Sequence, residues 1–501
     1  MLIQQSTVQV KIIPTPDGRV ADLIDKRFSF PHPGAYWVKK KHAKMHPIKV
    51  QGCWKCEWDG RIHLYKRGVL PAGFLSDLVE LLGDNDVPHE VIDNRIIPKK
   101  QYTWSNSFTL RPYQQDIVDA IMSDKQGIVE AACGAGKTVM AISAIAQAGV
   151  PTVIISPTKI ILGQFESAIR ENTDMPLGII QGKTWEEEPV VIATMGALSH
   201  KSKRARAKDF LATRDFIVVD EYQKSAAKTW FEMINHCPAY YRIGQTATPF
   251  RGSELEDQYL YANTGPIIAS VKTDELQESG YLAQTDIRFV KCSLYPSSMV
   301  YNTTIDDLTD EEIGWVDAKF VHKYRECIVE NAERNQMVAK LVNKHLENGD
   351  KILVIVAWTS HADNLIPLFN AEPIYLSGND TKKQSKEKTE AFDTLPSGVL
   401  IGSPVIDVGY DIPNVTTIVN ASAGASSGRT QQRLGRGLRI TDEKTSVIYY
   451  DFADEDIGVR KKHFAKHAKA RMKTFKTLGQ TITVYDTVEE ALGSDSDAKS
   501  L

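Results

Sequence analysis

From about residue 108 the chain alternates short apolar runs with amphipathic stretches. The runs are "GIVEAA", "PTVIISP", "PVVIATM", "DFIVVDE" and "YYRIGQTAT". Apolar runs of this length, separated by helical text, predict parallel strands covered on both faces. The alternation pauses between residues 252 and 350, where helical text such as "RNQMVAKLVNKHLENGD" dominates. It resumes with "KILVIVAW", "EPIYLSG", "GVLIGSP", "TTIVNAS" and "SVIYYDF". The pattern therefore predicts two doubly wound α/β units in tandem.

The first hundred residues follow another pattern. "FSFPHPGAYWVKKKHAKMHP" and "WKCEWDGRIHLYKRGVLPAGF" read as short strands and turns. "FLSDLVELLGDN" carries Phe74, Leu75, Leu78, Leu81 and Leu82 at helical spacing. A small α+β domain is expected there, joined to the rest by "RIIPKKQYTWSNS" as a linker. The tail "LGSDSDAKSL" is small and polar, and disorder is expected.

Composition changes this picture little. With 501 residues the chain has room for two to four domains, and 42% hydrophobic with 25% charged residues is ordinary for a globular protein. A net charge of −3 argues against a basic coat protein but leaves local basic patches open. No run of about 18 apolar residues predicts a membrane span, and the first residues lack a signal-peptide layout. Six cysteines are sparse, which fits a reducing compartment without structural disulfides. Cys53 and Cys56 form one C-x-x-C after His42 and His46. The second pair of a zinc ribbon is missing, so cysteines flanking Trp54 on a strand are expected rather than a metal site.

The candidate chemistry begins at "AACGAGKT". Gly134, Ala135, Gly136, Lys137 and Thr138 follow an apolar run and precede a helical one. Glycines let backbone N–H groups approach phosphate oxygens, and a helix start favours negative charge. Lys137 would reach outer phosphates, and the Thr138 hydroxyl would bind Mg2+. The usual pattern opens with glycine where this chain has Ala131. A second element supports the first. "DFIVVDEYQ" is a buried-type strand ending in Asp220 and Glu221, one acid to hold magnesium and one to polarise water.

"LRPYQQDIVDAI", "GAGKT", "DEYQ", "TAT" and "QRLGRGLR" occur in the order of the superfamily 2 helicases, and the chain resembles their DExH/DExQ group over residues 108–450. The resemblance implies two tandem RecA-like domains, an α/β architecture of doubly wound parallel sheets, with the small α+β domain in front. Boundaries follow at 1–100, 101–265, 266–455 and 456–501. It implies ATP with Mg2+ as cofactors. Arg111 and Gln115 would recognise adenine, with Gln114 the competing choice. Thr246 and Thr248 would couple hydrolysis to domain movement. Gln432, Arg433, Arg436 and Arg439 would serve the γ-phosphate, the last two as arginine fingers sharing a helical face. Gly409 and Asp411 would sense the nucleotide. Pro157, Thr158, Gln164, Thr194 and Ser403, with "AWTSHADN" and "LSGND", would contact nucleic acid, chiefly phosphates and sugars.

Two basic stretches add candidates for phosphate contact: "SHKSKRARAKD", with Lys201, Lys203, Arg204, Arg206 and Lys208, and a helix from Arg460 to Lys476. A solvated charged face is the competing account of each. "WDGRIHLYKRGVLPAGFLSDLVELL" resembles the N-terminal domain of the UvsW family of phage branch-migration helicases. That likeness implies forked or branched DNA as the partner, with RNA–DNA hybrids also open, contacted by Arg61 and Lys66. Trp58 is expected in the core. The location would be cytoplasmic, in the host if the chain is encoded by a phage. The alternatives are an RNA helicase, a restriction-system motor, or a DNA-binding module with an inactive ATP site.

Overall fold

The computed structural model describes residues 1–32, 34–38, 48–50, 53–55, 58–249, 254–295, 320–403, 412, 414–441, 444–457 and 462–493. The chain divides into two compact units, Met1–Ala132 with Gly136–Val271, and Cys133–Ala135 with Lys272–Leu501.

The first unit opens with the small α+β domain. Strands β1 (Leu2–Gln5), β2 (Gln9–Ile13), β7 (Val69–Pro71) and β8 (Glu90–Asp93) form one sheet in the order β7-β2-β1-β8. Helices α1 (Gly18–Arg27) and α2 (Leu75–Asp84) accompany it, with the pairs β3 (Ser29–Pro31) and β6 (Arg61–His63), and β4 (Ile48–Val50) and β5 (Cys53–Lys55). Its core contains Ile3, Val10, Ile24, Phe28, Phe74, Leu78 and Leu82, and is closed by Ala262 of helix α7 (Glu254–Thr264). Gly73 shows how close this docking is: a Cβ there would lie 1.7 Å from the Tyr261 carbonyl oxygen. Only glycine permits that approach.

The rest of this unit is an eight-stranded sheet. Its strands are β9 (Gln126–Ala131), β10 (Thr152–Ser156), β11 (Leu177–Gln181), β12 (Thr184–Trp185), β13 (Val190–Thr194), β14 (Phe216–Asp220), β15 (Tyr241–Thr246) and β16 (Ile267–Val271). The order is β12-β11-β13-β10-β14-β15-β9-β16, parallel except for β11 with β12. β10, β13 and β14 are buried along their whole length, as continuous apolar runs require. Helices α3 (Pro112–Asp124), α4 (Lys137–Ala148), α5 (Lys159–Asn172) and α6 (Arg204–Leu211) connect them. Pro112 sits at the first turn of α3, where its missing N–H costs nothing.

The second unit is a seven-stranded, all-parallel sheet. It comprises β17 (Gln284–Leu294), β18 (Lys351–Ile355), β19 (Ile374–Leu376), β20 (Gly398–Gly402), β21 (Thr417–Asn420), β22 (Ser446–Asp456) and β23 (Ile482–Tyr485). The order is β19-β20-β18-β21-β22-β17-β23. Its helices include α8 (Ala332–Glu347), α9 (Ser427–Gly435), α10 (His463–Thr477) and α11 (Val488–Gly493). Asn331 and Ser426 cap α8 and α9, accepting from Arg334 N and Arg429 N.

Two expected boundaries move. β16 pairs with β9, so the first sheet runs to Val271, past residue 265. α10, β23 and α11 belong to the second sheet's own layers, so residue 456 is no domain boundary. Both errors arise from edge strands added after a helix. Among the described residues no helix is long and apolar enough to cross a membrane.

Candidate nucleotide and nucleic-acid site

Parallel strands deliver their following loops to one edge of a sheet. In the first unit that edge carries the ends of β9, β10, β13, β14 and β15, and with them most of the candidate side chains.

The loop between β9 and α4 turns through two positive φ angles, +85° at Gly134 and +87° at Gly136. Both lie in the left-handed region that glycine adopts without a Cβ penalty. Helix α4 then starts at Lys137, so its first N–H groups and the loop face the same space. Lys137 Nζ donates to the carbonyl oxygens of Ala131 at 2.9 Å and Ala132 at 3.1 Å. These contacts hold the ammonium over the loop. Thr138 follows in the first turn, half-buried.

Gln114 closes the other side of the loop. A Cβ on Gly136 would lie 2.5 Å from Gln114 Nε2. Gln114 is buried, and its Oε1 accepts from the Arg111 backbone N–H at 3.0 Å. Gln115 points elsewhere: its amide donates to Asp119 Oδ1 at 2.8 Å on the exposed side of α3. Of the two glutamines, Gln114 is the one beside the loop. One step along a helix is a rotation of about 100°, which carries Gln115 off the loop.

Asp220 ends β14 and is buried. Burial, and then the charge of Glu221, push its carboxyl up to about 6; the charge of Lys137 and a hydrogen bond from Gln245 Nε2 at 3.1 Å oppose that rise. Glu221 has a φ of +49°, unusual for a residue with a side chain. Its Oε2 accepts from Gln223 Nε2 at 2.7 Å, and Gln223 Oε1 accepts from Thr246 Oγ1 at 2.6 Å. Thr246 Oγ1 also accepts from the Thr248 N–H at 3.0 Å. One chain of hydrogen bonds thus joins the acidic pair to the end of β15. Gln245 is a member that the sequence pattern did not single out. Its neighbours in "GQTAT" gave the only signal. Two adjacent carboxylates beside one ammonium form a hard-oxygen donor set, and with the Thr138 hydroxyl they fit Mg2+.

Thr158 caps α5, accepting from Ile161 N, Pro157 precedes it at the end of β10, and Gln164 lies exposed in the second turn of α5. Thr194 ends β13 and is nearly buried. Three residues of the basic stretch after it have partners within the fold. Arg204 pairs with Glu232 at 2.7 Å and Arg206 with Glu187 at 3.1 Å. Arg206 and Lys203 lie over the Trp185 ring at 4.5 and 5.6 Å, and Lys203 Nζ donates to Gly182 O at 2.6 Å. Arg61 is likewise taken: its guanidinium donates to the Ser29 hydroxyl and carbonyl. That binding joins β6 to β3. Trp58 donates to Arg61 O at 2.8 Å and meets His32 edge-on. Lys66 stays exposed in its turn.

In the second unit α9 ends at Gly435, so Arg436 and Arg439 do not share a helical face. They lie in the turn and extended segment that follow, where Gly437 packs against Val447 and Ile418 with no room for a Cβ. Arg439 is exposed; Gln432 and Arg436 are half-buried. Arg433 is buried and donates to Asn420 Oδ1 and Ser422 Oγ. Asn420 in turn donates to Asp451 Oδ2 at 2.9 Å. Arg471 binds both Asp451 and Asp454 and donates to Gly424 O at 2.9 Å. Arg334 binds Asp454 at 3.0 Å and donates to Ala421 O at 2.6 Å. Arg334 and Arg471 thus hold the loop from Ala421 to Gly424, which leads into α9.

Ser403 follows β20 and is buried, its hydroxyl lacking a hydrogen-bond partner among the described residues. His361 of "AWTSHADN" is fully buried against Asn335 at 3.0 Å, and burial with the charge of Arg334 pulls it down to about 3. It is neutral and inside the domain. In "LSGND" Asp380 closes the turn, accepting from Ser377 N and pairing with Lys388. Gly409, Asp411, Cys56, His42 and His46 lie outside the described residues. Among the described residues no group of three metal-ligating side chains forms a cluster.

Residues 107–251 match the family described as "Type III restriction enzyme, res subunit", and residues 333–441 match "Helicase conserved C-terminal domain". Together they span half of the chain. Among curated relatives, the "DNA 3'-5' helicase XPB" of Kineococcus radiotolerans is 28% identical, covering 72% of this chain and 63% of its own. The "Putative DNA 3'-5' helicase Rad25" of Halobacterium salinarum is 26% identical, covering 75% and 58%. The chain thus spans a little under two thirds of the length of these relatives. Among solved structures, the "ATP-dependent Type ISP restriction-modification enzyme LlaBIII bound to DNA" aligns over 82% of this chain and 34% of its own, with a TM-score of 0.57 at 12% identity. T4 UvsW aligns over 97% of this chain and 100% of its own, at 17% identity and a TM-score of 0.42.

Proposed function

The chain belongs to the superfamily 2 helicases, and from that premise we propose that it is an ATP-driven DNA translocase that moves 3′ to 5′ and acts on forked or branched DNA. The observation that carries the ATP-driven part is the hydrogen-bonded chain Glu221–Gln223–Thr246 beside Asp220 and Lys137. A purely binding domain has no use for an acidic pair, one member of it buried, wired to the next strand end. The curated relatives support DNA as the track and supply the polarity.

In this reading Lys137 leaves the Ala131 and Ala132 carbonyls for the outer phosphates. Thr138 and Asp220 would hold magnesium, which would neutralise phosphate charge. Glu221 orients and polarises the attacking water. Gln223 and Thr246 carry the change of charge at the acidic pair to the rim after β15. Gln114 and Arg111 take the base side of the loop. Thr158 and Thr194 sit on the rim where a phosphate backbone would pass, and contacts of that kind give weak sequence preference.

A restriction-system motor is the second reading, favoured by the matched description of residues 107–251. The test is steady-state ATP hydrolysis at fixed salt with no nucleic acid, single strand, duplex, four-way junction or RNA. Strongest stimulation by the junction supports the proposal. Stimulation by unbranched duplex alone supports the restriction-type motor, and by RNA alone overturns the DNA assignment. Lys137→Ala is expected to lower turnover at least about 100-fold, since a charged group serving the transition state is lost, while DNA binding persists. DNA-stimulated turnover in that variant would remove Lys137 from the site.

A further inference from the structure

Helix α10 is amphipathic in an unusual way. Phe464, Ala468, Arg471 and Phe475 are buried on one side. Lys462, Lys466, Lys469, Lys473 and Lys476 are exposed on the other. Their spacing steps by four, three, four and three residues, so they form one row along the helix. At 1.5 Å per residue the row is about 21 Å long.

Among the described residues the row carries no compensating charge. No Asp or Glu occurs between Asp456 and Asp486 in the sequence. None of the five lysines has a carboxylate within ion-pair distance among the described residues. Lysines elsewhere in the unit behave otherwise: Lys340 pairs with Glu489, Lys344 with Glu347 and Lys388 with Asp380. Like charges three and four apart on a helix repel one another, a cost that a bound polyanion reverses.

The helix is also held rigidly. Arg471 anchors its middle to Asp451, Asp454 and the Gly424 carbonyl. His467 contacts Ala423 O at 3.0 Å, and Phe475 packs on Phe289 and Tyr449. The lysine row is therefore a fixed, straight line of charge.

We propose that the lysine face of α10 is a second DNA contact, a guide that binds the phosphate backbone of a duplex arm apart from the motor's own track. It rests on the reading of this chain as a DNA motor. The choice of duplex over single strand follows from the surface. Single-strand sites join positive charge to exposed rings on which bases stack. On α10 both phenylalanines are buried, and the exposed row is lysine alone. A duplex presents one phosphate per about 3.4 Å of axis on each strand, so a row this long faces about six of them.

The test uses the full chain without nucleotide. Binding of a blunt duplex and of a single strand of equal length is measured across a KCl series. Lys466→Gln, Lys469→Gln and Lys473→Gln are combined in one variant, and the three Lys→Arg changes in another. Thermal unfolding checks that both are folded. For duplex, the slope of log K against log[salt] is expected to fall by about 2–3 in the Gln variant, at about 0.9 per lost contact. The Arg variant should keep it, and the single-strand slope should be unchanged. An unaltered duplex slope in the Gln variant overturns the proposal, as does an equal fall for single strand. If the wild-type chain binds neither DNA, the proposed function itself falls. If it binds both and only the α10 variant is silent, the motor reading stands and the guide does not.

Discussion

The two units hold their functional loops by opposite means. In the first, Asp220 and Glu221 are held by neutral amides and a hydroxyl: Gln245, Gln223 and Thr246. In the second, the loop into α9 is held by full charges. Arg334, Asp454, Arg471 and Asp451 are all fully buried. A hydrogen bond from a neutral amide to a carboxylate contributes about 1.5–3 kcal/mol net and can be broken and remade without stranding a second charge. A buried ion pair cannot be opened without stranding a charge in low dielectric. The first arrangement suits groups that must release and recapture ligands at each turnover. The second suits a scaffold that keeps one loop in one place.

The sharpest attack on that contrast is Arg471→Met. It removes the cation from Asp451 and Asp454 and the donors from Gly424 O and Phe452 O. Breaking a buried pair from one side is expected to cost about 3–5 kcal/mol. Urea unfolding of wild type and variant measures it, provided the second unit's transition is followed. The double variant Arg471→Met with Asp451→Asn should cost clearly less than the two single losses added. Losses that simply add, or an Arg471→Met cost below about 1 kcal/mol, would mean that the cluster is not a coupled scaffold.

The next effect has the opposite sign. The Asp220 carboxyl titrates near 6 in the folded chain against 3.8 when unhindered. Between those values the native state holds a proton that the unfolded state has released. Stability therefore falls as pH rises from about 4 to about 6 and stays reduced above that. Asp220→Asn has no such proton. Without magnesium or nucleotide it should be more stable than wild type by about 2–3 kcal/mol at neutral pH, with the gain vanishing below about pH 4. A pH-independent difference would mean that packing, not the buried charge, sets the effect. Gln245→Leu works on the same oxygen with the other sign. Removing the donor to Asp220 Oδ1 should cost about 1–2 kcal/mol at neutral pH and less below pH 4, where the carboxyl is protonated. Equal costs at both pH values would detach Gln245 from the acid.

Much of this was legible in the sequence, and what was not has a common cause. The phosphate loop and the acidic strand end are local words, each complete within a few residues, and the strand–helix alternation declares both parallel sheets. The scaffold of the second unit is not local. Arg334 meets Asp454 across 120 positions, and Arg471 meets Gly424 across 47. Each reads alone as a solvated cation. Which of Gln114 and Gln115 lies beside the loop is not legible, because a helix start gives type but not phase. The common face given to Arg436 and Arg439 failed because α9 stops at Gly435, where glycines at 435 and 437 favour a turn. β23 was missed because "ITVY" is a short, partly exposed edge strand.

The smallest effect separates two stretches that look alike on paper. Residues 201–208 and 460–476 are both dense in lysine and arginine, and both read as phosphate contacts. Their neighbours decide otherwise. The first run sits beside Glu187, Glu232 and Trp185, which take up Arg204, Arg206 and Lys203. The second sits in a span without acids and turns its lysines outward. Arg206→Gln loses an exposed ion pair and a cation–π contact, so it should cost less than about 1 kcal/mol. It should leave the salt dependence of duplex binding unchanged, because its charge is already spent within the fold. A fall in that slope of about 1, the signature of one lost phosphate contact, would show that Arg206 exchanges Glu187 for DNA. The two basic stretches would then differ in competition for the same ligand rather than in kind.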